Sequence, residues 1–108
     1  MKQFVWVLLS AASLISAGTA HAADAKTGDA LLKKNACIAC HSIDKKMVGP
    51  AYKDVAAKYR GQKDAEAKLI DKVKKGGKGV WGEVPMPPNA AVKDDEIKTM
   101  VQYVLSLK

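Results

Sequence analysis

Apolar positions recur most regularly near the C-terminus, where Ile97, Met100, Val101 and Val104 follow the i, i+3, i+4, i+7 spacing of one helix face. They predict a helix over about 94–106, and Asp94, Asp95 and Glu96 in its first turn suit the positive end of the helix dipole. A second stripe, Ala65, Leu69, Ile70 and Val73, predicts a helix from an Asp64 cap to about Lys75, stopped by Gly76-Gly77. Tyr52 to Tyr59 allows two helical turns, ended by Arg60-Gly61. Upstream, Thr27 is expected to cap a helix reaching about Asn35, with Asp29 in its first turn. Ala30, Leu31 and Ala36 would face inward there, and Lys33 and Lys34 would face water. Residues 42–51 read as loop, turning at Gly49-Pro50. Four glycines and three prolines exclude regular structure from most of 76–92, and loops this long in small domains are usually functional. No segment alternates long enough to make a strand, so the expected class is all-α, with four to five short helices.

A different pattern occupies the start. Lys2 precedes an almost unbroken apolar run from Phe4 to Ile15, and Ala20-His21-Ala22 follows as an A-x-A cleavage pattern. A membrane span needs roughly 20 apolar residues, which this run lacks. Residues 1–22 therefore read as a signal peptide cleaved after Ala22, leaving 23–108 as the single working domain with no membrane insertion. Cleavage removes His21, so Cys37, Cys40 and His41 become the only Cys and His residues, all within five positions. It also removes Lys2, lowering the net charge of +7 by one.

Composition then exposes a shortfall. After residue 22 there is one Trp, no Phe and three Tyr, so the core must come mainly from Ala, Val, Leu, Ile and Met. So short a chain buries only about 60% of its unfolded surface and is marginal without a staple. A Cys37–Cys40 disulfide would close too small a loop to help much. A large rigid apolar cofactor would complete the core.

Cys37-Ile38-Ala39-Cys40-His41 is a C-x-x-C-H run, the haem c attachment pattern. Two thiols three positions apart can reach the two vinyl groups of one haem, and the next residue offers its imidazole as an axial ligand. A thioredoxin-like pair would need a βαβ context that is not evident. A structural zinc site would need a fourth ligand from a carboxylate or a second chain. For the sixth iron position the candidates are Met47, Met86, Met100, a lysine or no ligand; Met47 is too close in sequence to His41 to reach the far face, and Met100 belongs to the apolar stripe of the last helix. Met86 sits in Val84-Pro85-Met86-Pro87-Pro88-Asn89, where prolines stiffen the backbone. It is the expected second axial ligand. His/Met ligation raises the potential and leaves no open position.

Two features point elsewhere only formally. Gly77-Lys78-Gly79-Val80-Trp81-Gly82 has the G-x-G-x-x-G form, but a helix precedes it and a proline-rich loop follows, the reverse of a dinucleotide site. These glycines fit a backbone running close over a flat ring, with the Trp81 N–H available to a haem propionate. The positive charge is interspersed with acids and lacks an aromatic-basic platform, which argues against nucleic acid. It fits steering toward an acidic protein face, with Lys45, Lys46, Lys72, Lys74, Lys75 and Lys78 near the motifs.

Residues Met47 to Lys58, Gly79-Val80-Trp81-Gly82 and Pro85-Met86-Pro87-Pro88-Asn89 together resemble the small bacterial class I monohaem cytochromes c of the Pseudomonas type, the cytochrome c-551 group. The resemblance covers essentially all of 23–108. It implies the class I cytochrome c fold, with Cys37 and Cys40 as thioether attachments and His41 and Met86 as axial ligands. It further implies that the Pro50 carbonyl accepts the His41 Nδ1–H, that Asn89 bonds near the methionine sulfur and that Trp81 contacts a propionate. Lys72 stands where the group often has an Arg propionate partner and lacks that planar fork. Ala90-Ala91 carries one extra residue, and Lys93 replaces a common Ser cap. The group implies a monomeric periplasmic electron carrier, not an enzyme. Its upstream partner would be a quinol-oxidising complex or another cytochrome, and its downstream partner a nitrite reductase or terminal oxidase.

Overall fold

A computed structural model describes residues 25–108. The expected signal peptide and its cleavage site lie outside the described residues. Among the described residues four helices follow one another: α1 (Ala25–Lys34), α2 (Tyr52–Tyr59), α3 (Ala65–Lys75) and α4 (Asp94–Leu105), with one 3₁₀ turn at Cys37–Ala39. Among the described residues there is no strand beyond a single antiparallel bridge between Gly77 and Met86. The architecture is all-α.

The last helix organises the rest, because α1, α2 and α3 all pack against α4. Its stripe lies in the core as its spacing requires: Ile97, Met100, Val101 and Val104 are buried, joined by Tyr103. Leu32 from α1 and Tyr52 and Val55 from α2 complete the cluster. Lys93 holds the N-cap position without a side-chain bond, and Asp94, Asp95 and Glu96 supply the first-turn charge. Ion pairs Lys34–Glu96 and Lys74–Asp94 tie α1 and α3 to α4, but exposed pairs of this kind stabilise little.

The first helix departs from its expected register. It starts at Ala25, so Thr27 lies inside it and does not cap it. Its buried residues are Gly28 and Leu32, whereas Ala30 and Ala36 are exposed and Leu31 is half-buried. The cause is Tyr103, whose side chain lies where a Cβ on Gly28 would sit. A glycine is the contact point, and hydrophobicity patterns score glycine as nothing. Asp64 does sit at the N-cap of α3, but its side chain makes no cap bond and pairs with Lys68 at 3.0 Å.

The stripe of α3 is only partly covered. Ala65 is buried, while Leu69, Ile70 and Val73 remain half-buried. Gly76 ends the helix at φ 71°, a conformation that favours glycine, with the Met86 carbonyl against its missing side chain. The chain then enters the irregular segment that returns to α4.

Candidate functional site

Leu69 and Val73 stay half-covered because they face a cleft. Its lining joins Cys37, Cys40 and His41 from the turn after α1, Gly49 and Pro50 from the next loop, Lys72 from α3 and Met86 from the irregular segment. Leu32, Tyr52, Met100, Val101 and Val104 form its floor from the core side. The cleft encloses about 1140 Å³ with its open mouth included. Ligand sites of this kind are mostly apolar with a few placed polar groups.

His41 is restrained on several sides. Its Nδ1 lies 2.8 Å from the Pro50 carbonyl, which accepts the Nδ1–H and leaves Nε2 with a free lone pair. The Tyr52 ring stacks on the imidazole, centroids 4.8 Å apart and planes 19° from parallel. Gly49 passes so close that a Cβ there would lie 2.5 Å from His41 Cε1. The loop is pinned to the motif by Gly49 N–H to the Cys40 carbonyl, 2.8 Å, and Tyr52 N–H to the Ser42 carbonyl, 2.9 Å. Neither Gly49 nor Tyr52 drew attention in the sequence; the only hint was Gly49 beside Pro50 at the turn.

Both cysteines are free thiols and half-buried. Burial, first of all, pushes the Cys37 thiol above its ordinary range. Burial likewise raises the Tyr52 phenol, helped by the adjacent Cys37.

Met86 reaches the cleft on a short, constrained connection. Its N–H donates to the Gly77 carbonyl at 2.8 Å, and Gly77 N–H returns to the Met86 carbonyl at 3.1 Å. Asn89 fastens the far side: its N–H donates to the Val73 carbonyl at 3.0 Å, and its side-chain amide donates to the carbonyls of Val73 at 3.2 Å and Pro87 at 3.3 Å. Asn89 thus straps the loop to the end of α3 through its backbone and its side-chain amide. Of the other methionines, Met100 is 3% exposed in the core and Met47 is 48% exposed and outside this cleft.

Trp81 lies on the cleft rim in a tight turn closed by Gly79 N–H to the Gly82 carbonyl, 2.8 Å. Lys58 from α2 places its ammonium 5.5 Å from the indole centroid, a cation–π contact invisible to sequence spacing. Lys72 Nζ lies over Gly77, 2.6 Å from a would-be Cβ, and has no carboxylate partner among the described residues.

The lining fits a flat, apolar, covalently held ring. It presents two thiols, an imidazole with a free Nε2, a thioether and an unpaired cation. The apolar side chains of Val48, Val80, Trp81 and Val84 remain exposed around it, surface that such a ring would cover.

Comparison with known proteins points the same way. A family model described as Cytochrome c matches residues 25–108. Cytochrome c-551 of Pseudomonas aeruginosa is 56% identical over 98 residues, covering 89% of this chain and 93% of the relative. Cytochrome c-552 of Nitrosomonas europaea is 50% identical over 99 residues, covering 92% and 91%. The crystal structure of the wild-type Nitrosomonas europaea cytochrome c552 superposes with a TM-score of 0.72 at 51% identity, covering 74% of this chain and 99% of that one.

Proposed function

From a chain that belongs to the cytochrome c family, whose members bind haem c covalently and carry electrons, we propose a periplasmic shuttle that exchanges single electrons between larger redox proteins. In this reading residues 1–22 direct export and are removed, and 23–108 act as a monomer. The upstream donor is a quinol-oxidising complex or another cytochrome, and the acceptor a nitrite reductase or terminal oxidase. Among the described residues, no helix is long and apolar enough to cross a membrane.

The observation that carries the reading is an apolar cleft whose lining brings together Cys37, Cys40, His41 and Met86. Cys37 and Cys40 would hold the haem as thioethers, and His41 Nε2 and Met86 Sδ would be the axial ligands. When bound, the group supplies one reversible electron at its iron. Every other part belongs to the chain. Pro50 holds the His41 Nδ1 proton, so Nε2 stays free for the metal. Lys72 and Trp81, which line the cleft, would meet the propionates. Asn89 straps the loop that presents Met86. The apolar floor excludes water.

Partner choice follows from charge. Lys74 and Lys75 are held by Asp94 and Asp71, but Lys45, Lys46, Lys72 and Lys78 have no acidic partner among the described residues. Lys72 and Lys78 line the cleft, and unpaired lysines at such a mouth suit brief docking on an acidic face.

Three measurements test the proposal. The mass of the purified mature protein should exceed that of residues 23–108 by one haem; a haem-free mass overturns it. The ferric spectrum should be low-spin and carry the weak red charge-transfer band of methionine–iron bonding. A high-spin spectrum at neutral pH would favour an open site that binds or reduces a small molecule. Electron transfer to an acidic acceptor should slow as salt shortens the Debye length toward about 8 Å and below. A salt-independent rate would remove the steering argument.

A further inference from the structure

We propose that Tyr52 is a positioning residue for His41: its ring fixes the rotation of the imidazole that the hydrogen bond to Pro50 leaves free. The inference rests on His41 being an axial ligand, and it adds a second restraint to the one carbonyl already described. A hydrogen bond aligns one direction, here Nδ1–H toward the Pro50 carbonyl at 2.8 Å. It tolerates turning of the ring about that line, because the donor and acceptor stay aligned. A stacked neighbour does not tolerate it. With planes 19° apart and centroids at 4.8 Å, turning the imidazole drives its edge into the Tyr52 face.

Tyr52 can serve as such a stop because it is itself immobile. It is 7% exposed and part of the core cluster with Leu32, Val55 and Val104. It is also the first residue of α2, and its N–H is held by the Ser42 carbonyl one residue beyond His41. Gly49 closes the adjoining edge, where no methyl would fit. Three contacts from one short loop thus define a direction, a plane and an edge. Each is set by a different residue, Pro50, Tyr52 and Gly49. The role belongs to the ring and not to the hydroxyl.

In a ferric protein the plane of an axial imidazole, together with the orientation of a methionine ligand, sets the spread and order of the hyperfine-shifted haem methyl resonances. That readout is independent of electron-transfer activity. Tyr52→Phe keeps the stack and should leave the methyl pattern and the midpoint potential close to wild type. Tyr52→Leu removes the stack and should reorder or compress the methyl spread and shift the potential further than Tyr52→Phe does. A Leu variant indistinguishable from wild type overturns the inference, as does a Phe variant as altered as the Leu variant. Should the Leu variant fail to fold, the wild-type ferrous protein still decides. Proton cross-relaxation between the Tyr52 and His41 rings supports the stack, and its absence overturns it. The ligand assignment beneath the inference fails separately, if the His41 ring protons of the ferrous wild type lack the large upfield shift of an iron-bound imidazole.

Discussion

His41 and Met86 reach the same cleft, but they are held by different physics. The histidine is gripped by contacts on its ring. Its ring lies between a carbonyl at 2.8 Å, a stacked tyrosine and a glycine edge, and the loop carrying them runs directly into buried Ala51 and Tyr52. The methionine is presented by backbone constraint. Prolines flank it, one bridge to Gly77 aligns it, and Asn89 straps the loop to the end of α3. Nearly all the side chains from Lys78 to Pro88 are exposed. A region with few buried contacts opens at lower free energy than the core, so the methionine side should yield first. In the proposed electron carrier this arrangement would keep one ligand essentially permanent and make the other the adjustable one.

The comparison breaks most visibly at Met86. Met86→Ala should leave the His41 side and the helices intact while converting a closed site to one that binds added imidazole or cyanide far more tightly than wild type. Titration followed in the visible spectrum checks this, and an unchanged affinity would reassign the ligand. Next in size is Gly49→Ala. A methyl pressed to 2.5 Å from His41 Cε1 has nowhere to go, so overpacking should cost about 1–3 kcal/mol in urea unfolding. A neutral result would mean the histidine side is looser than described.

Asn89→Ala removes the side-chain strap. It should cost about 0.5–1.5 kcal/mol and speed methionine release, measured by added-ligand binding kinetics, without altering the ferrous His41 resonances. Changes on both sides at once would show that the two regions are one unit. Lys58→Gln should be smaller again, with loop opening roughly two- to five-fold faster as the cation–π contact is lost. Lys58→Arg should restore the wild-type rate.

The smallest effect lies away from the cleft. The hydrogen bond from Lys68, above all, holds the Asp64 carboxyl below its ordinary range. A depressed folded-state pKa contributes stability above the unfolded value and loses it as pH falls through the folded one. Both groups are exposed, so screening leaves little. Urea midpoints of wild type and Asp64→Asn should differ slightly above about pH 4 and merge below it. A gap that widened in acid would reverse the assignment.

Much of the fold was legible because helix faces repeat. The α4 stripe, the span of α2 and the glycine stop of α3 follow from periodicity and caps alone. The C-x-x-C-H run and the proline-flanked Met86 were legible because covalent attachment and metal ligation need particular atoms at particular spacings. What escaped were contacts between residues with no local signature. Gly28 packs against Tyr103 across 75 positions of sequence. Lys58 meets Trp81, and Tyr52 meets His41, only once α2 and the loops are in place. Asn89 engages Val73, because the end of α3 offers carbonyls left unpaired by the helix.

By itself, then, the sequence determined the chemistry: which atoms bond a ring, which could ligate its iron, and that a thin apolar core would need such a ring. Those properties are local, set by residue type and spacing. The tertiary structure alone decided how firmly each candidate ligand is held. Firmness depends on which surfaces meet when α1, α2 and α3 close on α4, and that meeting is written in no single segment.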